Sequence, residues 1–147
     1  MAESDLRLRV LPNDLDFNLH MNNARYLALM DLGRLDLWRR AGLVRVILKH
    51  RIQAVVGSTN IRFKRALRPF QKFDLITSIK TWDERAIYME QRFEDKDGLV
   101  ANAIVRVVCL NSSGVMAPIE VLRLVDTELP SPEVSQELSS WIQYNRQ

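Results

Sequence analysis

The sequence lacks several features that would place it in a specialised class. It has a single cysteine, Cys109, so it can form no internal disulfide, and no group of Cys and His residues has zinc-ligand spacing. No apolar run approaches the roughly 20 residues that cross a bilayer, and the polar N-terminus does not resemble a secretory signal. These absences favour a cytoplasmic protein with no membrane span, no metal and no other cofactor.

Composition and charge are those of an ordinary globular protein. The chain has 147 residues, 47% of them hydrophobic, with a net charge of +3 and a pI near 9.3. The cations are spread along the chain without a recognised nucleic-acid motif, so we expect no nucleic-acid partner. The length suits a single domain over 1–147, with a core at about 6–127 and a C-terminal tail at 128–147.

Hydrophobic patterning predicts a strand, a long helix and then several strands. The helix covers about 23–41 and stops near Gly42. Alternating or β-branched runs predict strands, and a final apolar pattern predicts a short terminal helix. The strands are expected at 6–11, 53–63, 73–82, 86–94, 99–110 and, in irregular form, 115–125; one face of the terminal helix would carry Val134, Leu138, Trp141 and Ile142.

This order predicts an α+β fold in which a curved antiparallel sheet wraps around one long helix. A single helix with one apolar side needs a sheet to pack against. The residues near that side of the helix are Tyr26, Leu27, Met30, Arg34 and Trp38, with Leu35 beside them. The pattern alone leaves another two-layer α+β domain open.

Polar residues are concentrated in the segment 13–26, which joins the first strand to the helix. A helix start leaves backbone N–H groups unpaired and carries positive partial charge. With Asn22 as N-cap, the following N–H groups could bind an oxygen that gains negative charge, and a nearby aspartate could act on the same carbonyl. Asp and Asn are also ordinary capping residues, and His20 alone is typical of a hydrogen-bonded loop, so composition does not settle the function.

The same segment resembles a known signature. Asp14–Asp16, His20–Asn23 and Tyr26 resemble the D-x-D-x-x-G-H-V-N-N-x-x-Y pattern of hot-dog-fold thioesterases related to 4-hydroxybenzoyl-CoA thioesterase. Asp31 and Arg34 are similar to the acidic and arginine positions that follow in the family's helix.

The resemblance extends over roughly residues 6–110. The segments 61–69 and 73–74 are similar to the family's second strand and its turn. Residues 83–93 resemble a thioesterase-like subgroup, some of whose members could bind acyl groups without rapid turnover. The resemblance implies the hot-dog fold, paired subunits and hydrolysis of an acyl-CoA or acyl-carrier-protein thioester.

Residue by residue, the resemblance implies a catalytic site around the helix start. Asp16 matches the catalytic carboxylate, which acts as base or nucleophile. Asn23 matches the position whose backbone N–H polarises the thioester carbonyl, so its side chain is dispensable. His20 and Asn22 match positions that shape the loop. Leu19 departs from the family, which usually has glycine before the histidine, and this departure bears on the path of the loop.

Further residues are expected to bind substrate. Phe17 and Tyr26 are candidates for an acyl slot, with Leu27 and Met30, although core packing explains the last two equally well. The strand positions Ser58, Thr59 and Asn60 are expected to face the pocket, often that of the partner subunit. A basic stretch could hold CoA phosphates or could simply form a solvated face; it consists of Arg62, Lys64, Arg65, Arg68 and Lys72.

The sequence therefore predicts a homodimeric acyl-CoA thioesterase, with a homotetramer left open. The main alternative is an acyl-thioester binding protein on the same fold that does not hydrolyse its ligand. A dehydratase ranks lower, because that chemistry needs a His/Asp or His/Glu arrangement and the only other histidine, His50, lies in a basic loop. A purely structural dimerisation module ranks last.

Overall fold

The computed structural model describes residues 3–17, 19–125 and 136–145. Most of the regular structure lies where the hydrophobic pattern predicts it. The strands are β1 (Glu3–Arg9), β2 (Gln53–Phe63), β3 (Lys72–Trp82), β4 (Ile87–Asp95), β5 (Gly98–Asn111) and β6 (Gly114–Met116). The helices are α1 (Asn23–Arg40), α2 (Leu43–Lys49), α3 (Pro118–Arg123) and α4 (Gln136–Asn145), and a 3-10 turn covers Pro12–Asp14.

The strands form one six-stranded sheet. Its order is β1-β3-β4-β5-β2, and β6 also pairs with β5. β1 runs antiparallel to β3 with Leu6 opposite Leu75 and Leu8 opposite Phe73. Buried and half-exposed residues alternate along β3 and β5, as expected when one face of a sheet covers the core. This order leaves β1 and β2 at the two edges.

α1 begins as its sequence predicts. The Asn22 side chain accepts a hydrogen bond of 2.9 Å from the Ala24 N–H, which confirms Asn22 as the N-cap. Tyr26, Met30 and Trp38 are buried, in agreement with the predicted apolar side. Leu27 and Leu35 were expected on or beside that side but are 47% and 56% exposed, so neither belongs to the core of the single chain.

A buried polar network lies beneath the middle of α1. Gln91 of β4 has no exposed surface, and its amide donates to the Met30 carbonyl at 2.9 Å and to Thr77 Oγ1 at 3.0 Å. Its oxygen accepts from the Arg34 guanidinium at 2.8 Å, and Arg34 also pairs with Asp31. Burial lowers the pKa of Arg34 and Asp31 opposes that shift. The network fixes α1 against β3 and β4, because each of these buried groups would lose its partner if the helix moved.

Backbone contacts divide the chain into two compact units. The first contains Met1–Ala41, Ile61–Ser78 and Glu90–Ala103, and the second contains Gly42–Asn60, Ile79–Met89 and Ile104–Gln147. In the second unit the described part of the predicted terminal helix packs as expected, with Leu138 in a cluster with Tyr88. The Trp141 and Tyr88 rings meet edge to face at 5.8 Å. Val134, the first residue of that predicted face, lies outside the described residues.

Three segments differ from the sequence prediction. β1 covers Glu3–Arg9, so it begins three residues before the predicted strand at 6–11 and ends two residues before its end. Residues 43–49 form α2, where a change to strands was predicted. A short apolar run rich in β-branched residues has no period that distinguishes strand from helix. The irregular strand predicted at 115–125 is wrong over α3, where Pro118 starts a helix after the short β6. Proline is preorganised for a first helical turn, since its fixed φ is helical and the N–H it lacks needs no partner there.

Cys109, on β5, is a free and buried thiol. Burial raises the pKa of Cys109 to about 11, which keeps it protonated near neutral pH. Among the described residues, no three His, Cys, Asp or Glu side chains are grouped as a metal site would require. No described helix is long and apolar enough to span a membrane.

The close packing at Gly33 gives a test of the network. A Cβ at this position would lie 2.7 Å from Thr77 Oγ1 and 3.0 Å from Gln91 Nε2. Helix propensity alone favours Gly33→Ala by about 1 kcal/mol. We expect the opposite, a loss of about 1–3 kcal/mol in the free energy of unfolding, because the methyl group displaces buried hydrogen-bonding groups. Urea denaturation measures it, with Leu32→Ala as the control on the exposed side of α1; a more stable Gly33→Ala variant would contradict the account.

Candidate active site

The predicted catalytic loop is a narrow hairpin. Leu15 and Met21 form an antiparallel bridge. Between them, the Asp16 N–H donates to the His20 carbonyl at 2.9 Å, and the His20 N–H approaches Asp16 Oδ1 at 3.3 Å. The Leu19 N–H donates to the Asp16 carbonyl at 3.1 Å. These bonds hold the Asp16 carboxylate next to His20, which lies three residues before the start of α1.

Leu19 adopts a left-handed backbone conformation, with φ of 58°. This is the position at which the resembled signature has glycine. L-residues pay about 1–2 kcal/mol for such a conformation, and glycine does not. The loop therefore keeps the backbone turn that glycine normally makes, and the leucine side chain is left 62% exposed.

A buried carboxylate, Asp14, fixes the hairpin to the helix. Asp14 is 5% exposed and accepts hydrogen bonds from the Leu11 N–H at 2.8 Å and the Arg25 Nε at 2.6 Å. Its backbone carbonyl accepts the Asn22 N–H at 2.6 Å. One residue thus contacts both the loop before the hairpin and the first turn of α1.

A backbone hydrogen bond joins the residue before the N-cap of α1 to the loop after β2. The Met21 N–H donates to the Leu67 carbonyl at 3.0 Å. A backbone hydrogen bond from Leu67 also reaches the Tyr26 hydroxyl, but burial has the larger effect and raises the pKa of Tyr26. The Tyr26 ring meets Phe63 and Phe93 edge to face at 5.0 and 4.9 Å. Tyr26 is therefore held by packing as a wall of the site.

These elements enclose a pocket of about 280 Å³ at the helix start. Asp16, His20 and Asn23 line it together with Tyr26, and two of the predicted cations lie there as well, so six of the sequence-predicted residues meet in one place. The remaining lining residues are Met21, Phe63, Lys64, Arg65 and Ala66. A carboxylate, an imidazole and the first amides of a helix can together act on a carbonyl group held among them.

A wider depression of about 640 Å³ adjoins this pocket and shares His20 and Arg65 with it. Arg68 and Lys96 lie along its surface. Asp95 and Asp97 also line the depression, and Asp95 is paired with Arg65. A ligand with a small reactive group at the helix start and an anionic arm would meet Arg68 and Lys96 there.

Arg65 has a structural partner. Its guanidinium makes two hydrogen bonds to Asp95, at 2.8 and 2.9 Å, and also reaches the Gly98 carbonyl at 3.1 Å. The Arg65 hydrogen bonds hold the pKa of Asp95 below its usual value, and Gln71 adds another at 2.8 Å. Arg65 thereby ties the loop after β2 to the β4–β5 turn and forms the floor of the depression.

Other predicted residues lie apart from the pocket lining. Phe17 is fully exposed at the tip of the hairpin, and Asp16 is also exposed, so Phe17 does not bury the carboxylate in the single chain. Ser58, Thr59 and Asn60 lie on β2 in the second unit, and Arg62 follows them on the same strand. None of these five is among the described residues that line the pocket.

Sequence reasoning missed the roles of Asp14 and Arg25. Both lie in the segment that was recognised as informative, but no periodic signal links two residues 11 positions apart. The available signal was a cation in the first helical turn, where helix electrostatics disfavours positive charge. Its presence there indicates a local carboxylate partner.

Comparison with known proteins places the chain among thioesterase-like proteins. A family model described as the Thioesterase-like superfamily matches residues 10–142. Protein THEM6 of Danio rerio is 36% identical over 98% of this chain and 71% of its own length. Protein THEM6 of Xenopus laevis is 36% identical over 92% of this chain, which spans 65% of that relative.

Solved structures share the architecture. The probable thioesterase YbaW of Escherichia coli superposes with a TM-score of 0.76 at 23% identity, over 82% of this chain and 94% of that one. The Staphylococcus aureus protein SAV2348, solved in complex with CoA, gives a TM-score of 0.75 at 15% identity, over 93% and 92%. These similarities confirm the predicted α+β hot-dog fold.

The left-handed Leu19 gives a test of the loop geometry. We expect Leu19→Gly to have a free energy of unfolding about 1 kcal/mol higher than that of Leu19→Ala, since both variants lose the same exposed side chain and only glycine relieves the backbone. Chemical denaturation of the matched pair measures the difference. An alanine variant as stable as the glycine variant would show that the loop does not hold this conformation.

Proposed function

The chain belongs to the Thioesterase-like superfamily and has the hot-dog fold, and on this basis we propose that it hydrolyses an acyl-CoA thioester at the start of α1. The observation that supports the proposal best is the meeting of Asp16, His20 and Asn23 around one pocket. Family membership supports thioester hydrolysis in general. We propose in addition the roles of these three residues and CoA as the thiol part of the substrate.

The first amides of α1 would hold the carbonyl oxygen. Asn23 is the first helical residue, so its N–H has no acceptor within the helix. Asn22 already caps the Ala24 N–H, which leaves Asn23 as the amide nearest the pocket that can serve a substrate. The positive end of the helix dipole adds to this site. Negative charge that develops on the oxygen would be stabilised more than the neutral carbonyl, which is the requirement for catalysis.

Asp16 would supply the attacking group. Its carboxylate either takes a proton from a water that attacks the carbonyl carbon or attacks that carbon itself, after which water cleaves the anhydride. Either route breaks the C–S bond, consumes one water and releases a carboxylic acid and a thiol. The pocket is open to solvent at Asp16, so water can reach it.

The leaving group would lie along the adjoining depression. Arg68 and Lys96 on its surface, with Lys64 at the pocket, offer positive charge to the phosphates of CoA. The CoA bound to SAV2348, a protein of the same fold, supports a CoA substrate. An acyl-carrier-protein thioester would place only one phosphate near the same cations.

The site requires a second copy of the chain. β2 is an edge strand whose residues are exposed or only half covered along its whole length, including Val55 and Val56. An unpaired apolar edge is normally covered. Phe17 and Leu19 are also exposed beside Asp16. We propose a homodimer in which β2 pairs with its copy and Ser58, Thr59 and Asn60 complete the partner's pocket.

We further propose that residues 1–147 form one hot-dog domain that acts in the cytoplasm. The homotetramer remains open within this proposal. The alternative, a protein that binds acyl thioesters without cleaving them, would differ only in the outcome of the turnover assay, because nothing in the pocket geometry favours it.

The catalytic roles can be tested with acyl-CoAs of different chain lengths, by following thiol release. We expect Asp16→Asn to lower kcat by at least about 100-fold, the usual contribution of a positioned acid or base. Circular dichroism checks that the variant is folded. If the parent binds acyl-CoA but releases no thiol, the binding alternative holds; if Asp16→Asn keeps full activity, the assignment of Asp16 is wrong.

The same assay separates the Asn23 backbone from its side chain. Asn23→Ala should keep kcat within a few-fold of the parent, because the N–H is retained. Asn23→Pro removes that N–H in addition to the side chain, at the first helical position, where proline is well tolerated, and the Asn22 ψ of 134° already suits a following proline. We expect kcat to fall about 100- to 1,000-fold in this variant. Equal activity of the two variants would exclude the proposed oxyanion site.

The dimer can be tested by sedimentation velocity. We expect the double variant Val55→Lys/Val56→Lys to become monomeric and lose hydrolysis while remaining folded, because lysines on an edge strand oppose strand pairing. Val115→Lys on β6 is the matched control, since Val115 is also an exposed strand valine. A monomeric parent, or a double variant that stays dimeric and active, would contradict the proposed assembly.

A further inference from the structure

The cations of the chain are unevenly distributed in the sequence. No Asp or Glu occurs between Asp36 and Asp74, whereas this interval contains ten of the 21 Lys and Arg residues. The hydrolysis proposed above uses only Lys64, Arg65 and Arg68 from this interval. The cations around α2 have no part in it.

One exposed leucine at the end of α2 is flanked in the sequence by cationic residues of the helix and of the turn after it. We call this group the basic tip; it consists of Arg45, Leu48, Lys49, His50 and Arg51. Leu48 is 74% exposed, among the highest values for a large apolar side chain in the described residues. Leu48 and Lys49 lie three and four residues after Arg45, so both are neighbours of Arg45 on the helix surface. His50 and Arg51 follow in the turn, and all four cationic or titratable members are exposed.

The buried side of α2 explains why Leu48 points outwards. Leu43 is 2% exposed, Val44, Val46 and Ile47 are half-buried, and Ile52 after the turn is 6% exposed. These residues already fill the inner face of the short helix. Leu48 is therefore left outside by the geometry of the helix, and no packing within the described residues requires an apolar group there.

The apolar surface continues beside the basic tip. A Cβ built at Gly42, the N-cap of α2, would lie 3.8 Å from a methyl carbon of Val125. Val125 and Leu124, at the end of α3, are 45% and 46% exposed. α2 thus presents apolar groups near both of its ends, with Arg45 and Lys49 between and beside them.

We propose that the basic tip docks onto an anionic lipid bilayer. A short helix with outward leucine and flanking Lys and Arg residues is suited to the headgroup region, where the apolar side chain enters the acyl boundary and the cations contact lipid phosphates. The side chains of the tip are all exposed at a helix end and turn, so they can meet a flat surface. Nucleic acid would use the cations but would gain nothing from an exposed leucine.

Vesicle flotation tests the proposal independently of any hydrolysis. The full chain is mixed with vesicles of phosphatidylcholine alone or of phosphatidylcholine with 30% phosphatidylserine, at 150 mM NaCl. We expect binding to the anionic vesicles only, weakened at 500 mM NaCl because salt screens the cations. Failure to bind anionic vesicles would overturn the proposal, as would equal binding to both kinds of vesicle.

Matched variants show whether the basic tip carries the binding. Lys49→Glu should weaken binding at least tenfold, since each cation at an anionic surface contributes about fivefold and the new carboxylate is repelled. Arg85→Glu makes the same change in net charge at another exposed position and should weaken binding less than threefold. Leu48→Ser should weaken it about fivefold with the charge unchanged. Equal effects of Lys49→Glu and Arg85→Glu would show a non-specific attraction and overturn the assignment.

Competition with a 20-nucleotide RNA completes the test. If RNA at equal phosphate concentration displaces the protein from the vesicles, and Leu48→Ser does not affect RNA binding, the tip is a nucleic-acid surface and the lipid assignment is wrong. If RNA does not displace it, the assignment stands. Thiol release in the absence of vesicles is measured in parallel, so that loss of docking is distinguished from loss of hydrolysis.

Discussion

The buried carboxylate of Asp14 is the interaction on which the geometry of the site depends. It accepts hydrogen bonds from the Leu11 N–H and the Arg25 side chain, while its own carbonyl accepts the Asn22 N–H. The hairpin that carries Asp16 therefore starts from a residue bonded to the first turn of α1. Since the proposed hydrolysis needs Asp16 and the Asn23 N–H at the same carbonyl, a shift of the hairpin against the helix would separate them.

The middle of α1 is fixed to the sheet by a buried polar network. Gln91 is completely buried and connects the Met30 carbonyl, Thr77 and Arg34. Gly33 allows this close approach, because any side chain there would meet Thr77 and Gln91. A buried amide whose groups are all paired prefers one arrangement strongly over any other. The hydrogen bonds of Asp14 thus fix the start of α1 to the loop, and the network of Gln91 fixes the middle of α1 to the sheet.

The extent to which the sequence predicts this structure follows from the range of each interaction. The bounds of α1 and β2 follow from local periodicity and agree with the structure within one residue. α2 could not be distinguished from a strand, because seven residues show less than two helical turns. Leu19 shows the physical consequence of a departure from the family pattern. The backbone keeps the left-handed conformation, and leucine is strained in it where glycine would not be.

Ion pairs between residues far apart in the chain could not be predicted from the sequence. Arg65 was predicted as a phosphate ligand from its place in a basic stretch, but its bidentate partner Asp95 is 30 residues away. The chain offers 18 acidic residues to its 21 cations, and nothing local selects one pair among them. Only the fold brings the two together, so the structural partner of Arg65 could not be predicted from its place in the basic stretch.

The central claim is that one thioester carbonyl lies between the Asp16 carboxylate and the Asn23 N–H. A crystal structure with a non-hydrolysable acyl-CoA analogue, in which a methylene group separates the carbonyl from sulfur, tests it most directly. The account predicts the carbonyl oxygen about 2.7–3.1 Å from the Asn23 nitrogen, with the Asp16 carboxylate facing the carbonyl carbon directly or through one water. A carbonyl bound away from the start of α1, with Asp16 facing solvent only, would contradict it.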